Sequence, residues 1–289
     1  MSTTLRLSVI IVNVDADVHF LNSIKRLGFT SLEEISESQL VEIALRFAIW
    51  PSVATYSATP WFAPFAIRRS RVRVEPNAPG LKRDLWGLPT EDGYFSDDNS
   101  LIKSLVLKRP LSPDTNPYGN LPITRGVVCC HIWAGTTSKP LLFSFLPNLV
   151  WLPKSLATYS DAHSSAEPHL IHHALKQVSI ERYRRVQSKS RVEQAWQLLE
   201  PPSPVKLNRS IDTEINDGGR IEDLVNKRIN RMIHFLEATL SPDSEMPPRF
   251  SKRYHAGIGN GIDKSVWPIQ KWLSENTRLK LLEEIKSCL

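Results

Sequence analysis

Gly126-Val127-Val128-Cys129-Cys130-His131-Ile132-Trp133 and, opening seventeen residues after the histidine, Asn148-Leu149-Val150-Trp151-Leu152-Pro153 are the two stretches on which the reading of this chain turns. The first is apolar and β-branched at its start and reaches a histidine through two cysteines, the pattern of a strand with a polar end. The second opens on an asparagine and continues as a short, unbroken apolar run closed by a proline, which suits a buried strand. Lys154 to Tyr159 offers the start of a helix, and Asp161 and His163 follow. The order predicted across 126–165 is therefore strand, histidine, loop, asparagine, strand, helix.

Working outward, residues 51–125 are rich in Pro, Gly, Trp and Arg and read as short strands and loops, with Ile67 to Val74 the best strand. Further upstream, Leu5, Leu7, Val9 and Ile11 alternate with polar residues and predict a strand over 5–12. Leu21, Ile24 and Leu27 stand at helical spacing up to Gly28, and Ser31 with Glu34 has the capping-box pattern that opens a short helix. A longer helix is predicted from about Ser38 to Ile49, with Val41, Leu45 and Ala48 inward and Pro51 ending it. Downstream, a helix should begin near Glu167-Pro168 and turn Ile171, Leu175, Val178 and the aliphatic stem of Arg182 to the core. A second helix, about Arg191 to Leu199, stops at Pro201-Pro202, and 201–220 reads as a linker. Ile221, Leu224, Val225, Ile229, Met232, Ile233, Leu236 and Leu240 describe an amphipathic helix with Lys227, Arg228 and Arg231 on its other side. A last helix turns Ile269, Trp272, Leu273, Leu279, Leu282 and Ile285 inward.

Among the 289 residues 41% are apolar, which excludes wholesale disorder, and no apolar run approaches the ~20 residues needed to span a bilayer. Met1-Ser2-Thr3-Thr4 carries no basic and apolar leader, so no signal peptide is expected. Three cysteines, two of them adjacent, make no disulfide framework, and the reducing cytoplasm is the expected compartment. The formal net charge of +6 is unevenly placed. Lys176, Arg182, Arg184, Arg185, Lys189 and Arg191 face a single acid, Glu181, within their run, and Arg68, Arg69, Arg71 and Arg73 form a second cluster. The guanidinium fork binds phosphate bidentately, so two Arg-heavy runs point to nucleic acid.

Over about residues 126–165 the chain resembles the HNH (His-Me finger, ββα-metal) endonucleases. The resemblance implies that His131 is the general base that deprotonates the attacking water, a role that suits an imidazole with an ordinary pKa of ~6.5. It implies that Asn148 holds the loop that aims His131, and that Mg²⁺ (or Mn²⁺) sits between the end of the first strand and the helix. The sequence departs from the family in its metal ligands. Cys130 stands where the family often has Asp, Ala157 stands nine residues after the Asn where a final His is usual, and the zinc-knuckle cysteine pairs are absent. Asp161, His163 and, in the turn-like segment 93–100, Asp98 or Asp97 are the remaining candidate metal ligands. The competing role for Asp98 or Asn99 is to cap a helix through Leu101, Ile102 and Leu105.

A structural Zn²⁺ site is the main competing chemistry. Cys129, His131, His163, His169, His172 and His173 are close in sequence, and His169 and His173 share a helix face, but no C-x2-C pair accompanies them. Otherwise the helix histidines are expected on a polar face and most of the tryptophans in the core. Gly257-Ile258-Gly259-Asn260-Gly261 follows no strand, so no dinucleotide or P-loop site is indicated, and no G-x-S-x-G elbow occurs.

The expected fold is α+β, a small ββα-metal-like element embedded in a mostly helical protein with short N-terminal strands. Its expected regions are 1–75, a strand plus helical unit; 76–200, an HNH-like core with a basic helix; and 201–289, a helical region. The expected function is metal-dependent hydrolysis of nucleic-acid phosphodiesters by a DNA endonuclease of restriction or defence type. Arg182, Arg184, Arg185 and Lys189 on the basic helix, with Arg68, Arg69 and Arg71 on the strand, would hold phosphates. RNA as substrate and a homodimer stay open, and no membrane partner is expected. The alternatives are a non-catalytic nucleic-acid-binding protein on the same scaffold and an interaction module with a structural zinc.

Overall fold

The computed structural model describes residues 13–68, 94–97, 102, 105–119, 121–160, 170–207, 213–216, 219–240 and 274–289. The strand expected over 5–12 and the helix start near 167–168 lie outside the described residues, as do Asp98 and Asn99. In chain order the regular elements are β1 (Val14–Asp15), α1 (Ala16–Arg26), α2 (Glu37–Phe47), β2 (Ile49–Trp50), α3 (Val53–Ala58), β3 (Ala66–Arg68), β4 (Phe95–Asp97), β5 (Leu111–Ser112), β6 (Ile123–Arg125), β7 (Val127–His131), β8 (Leu149–Pro153), α4 (Lys154–Ser160), α5 (Leu170–Tyr183), α6 (Ser190–Gln197), β9 (Thr213–Ile215), α7 (Arg220–Leu240) and α8 (Glu275–Lys286). Short 3-10 turns at Thr136–Ser138 and Leu146–Asn148 lie between β7 and β8. The architecture is α+β.

The main sheet has the strand order β5-β9-β2-β8-β7. Strand β7 runs antiparallel to β8, with Val127 opposite Pro153, Cys129 opposite Trp151 and His131 opposite Leu149. Strand β2 is antiparallel to β8 and parallel to β9, and β9 is antiparallel to β5. Strands from residues 49–50, 111–112, 127–131, 149–153 and 213–215 thus share one sheet. All five residues of β8 are buried, as expected of an inner strand packed on both faces, and this accounts for its unbroken apolar sequence. The Trp151 indole is satisfied by donating to the Ile102 carbonyl at 3.1 Å.

The N-terminal unit is stitched to the β7–β8 hairpin at two helix starts. Asp15 caps α1 by accepting from the Asp17 and Val18 amides at 3.1 and 3.2 Å. Gly126 packs against this cap with φ +83, and a Cβ there would overlap the Asp15 carboxylate and come within 2.6 Å of the Asp17 amide. Asp17 then caps α4, accepting from the Ser155 amide at 2.7 Å and the Ser155 hydroxyl at 3.1 Å. Two carboxylates at two helix N-termini also complement the helix dipoles there.

The structure corrects several expectations. Ser31 and Glu34 open no helix: the Glu34 carboxylate accepts from the Thr30 amide at 2.8 Å and from its hydroxyl, and the capping box is formed instead by Ser36 and Gln39, at the start of α2. The inner face of α1 is Ala16, Phe20 and Ile24, while Leu21 and Leu27 are exposed, because the Phe20 ring packs edge-on against Phe47 at 5.2 Å. The basic run at 182–191 is no continuous helix: α5 ends at Tyr183, a turn carries Arg184 and Arg185, and Lys189 is the N-cap of α6. On α7, Leu224 is exposed and Arg228 is buried, paired with the buried Asp97 of β4 and lying over the Phe62 ring at 5.6 Å. On α8 the buried residues are Leu281, Leu282 and Ile285, with Leu279 exposed. His172 is buried rather than on a polar face.

Candidate functional site

Beyond the last paired residues of the hairpin, the Ile132 amide donates to the Asn148 carbonyl at 2.9 Å and closes the 132–148 loop at its neck. Inside that loop Asn148 is fully buried and uses its whole side-chain amide. Its Oδ1 accepts from the Trp133 amide at 3.0 Å, and its Nδ2 donates to the Thr136 hydroxyl and the Leu142 carbonyl, each at 2.9 Å. The Trp133 amide only donates and the Leu142 carbonyl only accepts, so the orientation of the Asn148 amide is fixed by its partners. Gly135, at φ +68, supplies the left-handed residue that turns the chain into Thr136–Ser138.

Asn148 thereby fixes the stretch that meets His131. The His131 Nε2 lies 2.9 Å from the Phe143 carbonyl, and its ring is stacked on the Phe143 ring at 5.6 Å between centroids and 20° between planes. A carbonyl only accepts, so Nε2 carries the hydrogen and the lone pair of the neutral ring is on Nδ1. This is the tautomer in which Nδ1 can take a proton. The outer wall of the loop is pinned as well. The Trp61 indole donates to the Leu141 carbonyl at 2.9 Å, the Ser144 hydroxyl to the Ala63 carbonyl at 2.7 Å, and the Leu146 amide to the Pro60 carbonyl at 2.8 Å. On the side of α5, the Ser179 hydroxyl donates to the Pro147 carbonyl.

Neither the family models, nor the curated proteins, nor the solved structures include one that matches this chain.

The candidate metal ligands Asp161, His163 and Asp98 lie outside the described residues, and Asp97, the alternative to Asp98, is buried on β4 and held by Arg228 instead. Among the described residues no group of three or more His, Cys, Asp or Glu is placed to hold a metal ion. Cys130, on β7 opposite Val150, is half-buried, with its Sγ 3.8 Å from the Val128 carbonyl. Ala157 is a buried residue of α4 and offers only a methyl group. Mg²⁺ takes oxygen ligands, so the described residues at the two departing positions do not fit it. Of the zinc candidates, His173 uses Nδ1 to accept from the Ser203 amide at 3.0 Å, and His169 lies outside the described residues.

The basic residues divide into held and exposed groups. Arg182 pairs with Glu214 at 2.7 Å and lies over the rings of Trp50 and Tyr183. Arg184 grips Glu193 with two bonds of 2.6 Å and lies over Trp196 at 5.7 Å. The Arg184 hydrogen bond holds the Glu193 carboxyl below its ordinary range. Arg191 pairs with Glu284 and donates to the Ser287 hydroxyl at 3.0 Å. Arg185 is exposed, and the exposed Lys189 ammonium donates to the Leu289 carbonyl at 2.7 Å. Arg68, exposed at the end of β3, belongs to a strand packed on the 136–138 turn of the loop, while Arg69 and Arg71 lie outside the described residues. Lys176 lies over the Trp133 ring at 6.0 Å, and burial lowers its ammonium pKa.

Sequence reasoning missed Thr136 and the Phe143 carbonyl, and it read Asp97 as a metal candidate rather than as the partner of Arg228. Thr136 stands beside a glycine in a Gly-Thr-Thr-Ser run, a turn signal that marks the place without marking the role. The Phe143 carbonyl has no sequence signal at all, since every residue carries one.

Proposed function

We propose that the chain hydrolyses nucleic-acid phosphodiesters in the manner of the HNH-like endonucleases, with His131 as general base. One observation carries this reading: the loop that presents His131 is fixed by a fully buried asparagine using its whole amide, and its Phe143 carbonyl selects the ring tautomer with Nδ1 as the basic nitrogen. A histidine serving only as filler needs neither the fixed tautomer nor the buried polar anchor, which is costly unless fully satisfied. On this reading Nδ1 accepts a proton from water as the water attacks phosphorus, and the protonated ring keeps its Nε2–H on the Phe143 carbonyl throughout. Arg68 and Arg185, exposed members of the two basic runs, attract the phosphate backbone. In this family a divalent cation neutralises the leaving oxygen, and because the described donors do not fit one, no step here is routed through it.

A second reading, a non-catalytic nucleic-acid-binding protein that keeps the loop as scaffold, is favoured by Cys130 and Ala157 at the two positions where the family's ligands stand. One experiment separates the two. Purified protein and a His131→Ala variant are incubated with plasmid and single-stranded DNA and with RNA, in Mg²⁺, Mn²⁺ or chelator. The proposal expects wild-type cleavage and a rate about 10²–10⁴-fold lower in the variant, the usual cost of removing a general base. A variant that cuts like wild type removes His131 from the mechanism. Nucleic-acid binding without cleavage in any metal establishes the scaffold reading.

A further inference from the structure

We infer that Thr136 is a positioning residue for His131, acting through Asn148. The inference rests on the reading of His131 as a base, and it concerns a residue that no motif singles out. Thr136 is buried, and its hydroxyl donates to the Trp133 carbonyl at 2.6 Å while accepting from Asn148 Nδ2 at 2.9 Å. The polarity of both bonds is forced. The Trp133 carbonyl can only accept, and the Asn148 amide, with Oδ1 committed to the Trp133 amide, presents Nδ2 to Thr136 and to Leu142.

Thr136 and Asn148 therefore hold Trp133 from both of its backbone groups, two residues beyond His131. The second Nδ2 hydrogen holds the Leu142 carbonyl, one residue before the Phe143 carbonyl that His131 meets at 2.9 Å. Both ends of the His131 environment, the chain leading away from the ring and the carbonyl receiving Nε2–H, are tied to one amide whose second hydrogen is satisfied by the Thr136 hydroxyl. Without that hydroxyl, Asn148 keeps a buried N–H with nothing to accept it and the Trp133 carbonyl loses its donor. The amide then has reason to rotate, and rotation removes its bond to the Leu142 carbonyl, which is left with the longer bond from the Phe145 amide at 3.3 Å, so the Phe143 carbonyl next to it is held less closely. The consequence for the ring is a loss of its single tautomer.

The test reads the ring itself, in the full chain with ¹⁵N-labelled histidine. The two ring nitrogens of His131 are assigned by their disappearance in His131→Ala. Wild-type protein above the imidazole pKa is expected to show the Nε2–H tautomer. Thr136→Val keeps the shape and removes the hydroxyl, and is expected to give a mixture of the two tautomers. Thr136→Ser keeps the hydroxyl and is expected to restore the wild-type signals. Thr136→Ala, with the same loss and a smaller side chain, serves as the second variant if Thr136→Val does not fold. Where wild type cleaves, Thr136→Val should lower the rate by up to about 10²-fold, the scale of a misplacement near 1 Å, with Thr136→Ser close to wild type. A Thr136→Val or Thr136→Ala protein that melts lower yet keeps the wild-type His131 signals overturns the inference and leaves the base reading standing. A shifted tautomer in a protein whose wild type cuts nothing upholds the positioning role and overturns the base reading.

Discussion

Replacing Asn148 should damage the protein in a way that depends on the polarity of the replacement. The side chain is fully buried and makes three hydrogen bonds. In Asn148→Ala the Leu142 carbonyl still accepts from the Phe145 amide at 3.3 Å, and Thr136 still donates to Trp133. The Trp133 amide is left as a buried donor without its side-chain partner, worth about 1–3 kcal/mol, and the other two bonds are worth about 1 kcal/mol each. The expected loss is therefore about 3–5 kcal/mol, or roughly 6–20 °C in Tm at the ~2–4 °C per kcal/mol of a domain of this size. Asn148→Asp has the same shape and retains the acceptor for Trp133, but it faces the Leu142 carbonyl with an oxygen in place of a donor. Burial without a cation raises the pKa of such a carboxyl above the ~3.9 of the unfolded chain. The folded state then binds the proton more tightly than the unfolded state does. Stability should fall as pH rises through the interval between the two pKa values, by up to ~1.4 kcal/mol per pH unit. Urea unfolding followed by tryptophan fluorescence, with unchanged m-value, measures all of this. The Asp variant should gain on wild type between pH 7 and pH 5, and the Ala variant should not. An Ala variant within about 1 kcal/mol of wild type, below the cost of one orphaned buried donor, would refute the anchoring argument, as would an Asp variant with no such pH dependence.

Arg184→Glu and Arg185→Glu should separate. The first sets like charge against Glu193 and removes the group over Trp196, so it should lower stability, while the second changes an exposed side chain and should stay within about 0.5 kcal/mol of wild type. Loss of a phosphate contact by either should reduce the slope of log K against log salt by about 0.9 for duplex DNA, and an unchanged slope excludes that residue from the interface. At high pH, Tyr56 should govern part of the stability. Burial pushes its phenol up to about 12, and its oxygen accepts from the Trp196 indole at 3.2 Å. The unfolded chain ionises near pH ~10, so this contribution is complete below that and is lost as pH rises towards the folded value. Tyr56→Phe should flatten the decline in urea midpoint above pH ~10, and identical profiles for the two proteins would show that the phenol stays out of it.

The two strands of the hairpin were readable because both are short apolar runs with polar ends, and β8 is apolar throughout because it is buried throughout. The inner face of α1 was less so. Leu21-Ile24-Leu27 and Ala16-Phe20-Ile24 are both helical stripes through Ile24, and only the ring of Phe47, from another helix, decides between them. Arg228 reads as part of the polar side of its helix because the carboxylate that draws it inward, Asp97, belongs to a distant part of the chain. The same holds for the basic run, where the acids that occupy Arg182 and Arg191 are Glu214 and Glu284. At the candidate site, His131 and Asn148 were legible as residue types at a spacing. The groups that orient them are main-chain carbonyls and amides, on which side-chain identity is silent.

Strand β9 lies between β5 and β2, so three short pieces at 49–50, 111–112 and 213–215 meet side by side in the finished sheet. On the ribosome the first two are made long before the third. Until residue 215 has emerged, the backbone edge of Ile49–Trp50 that β9 will cover has no native partner, and both of those residues are ones that the folded protein hides from water completely. A growing chain in that condition carries a sticky, unpaired strand edge of the kind that invites pairing with a neighbouring chain. The hairpin bearing His131 is complete by residue 153, yet the sheet beneath it closes only after some sixty further residues have been made. The last strand of this sheet to be made is thus a three-residue piece separated from the His131 hairpin by β2.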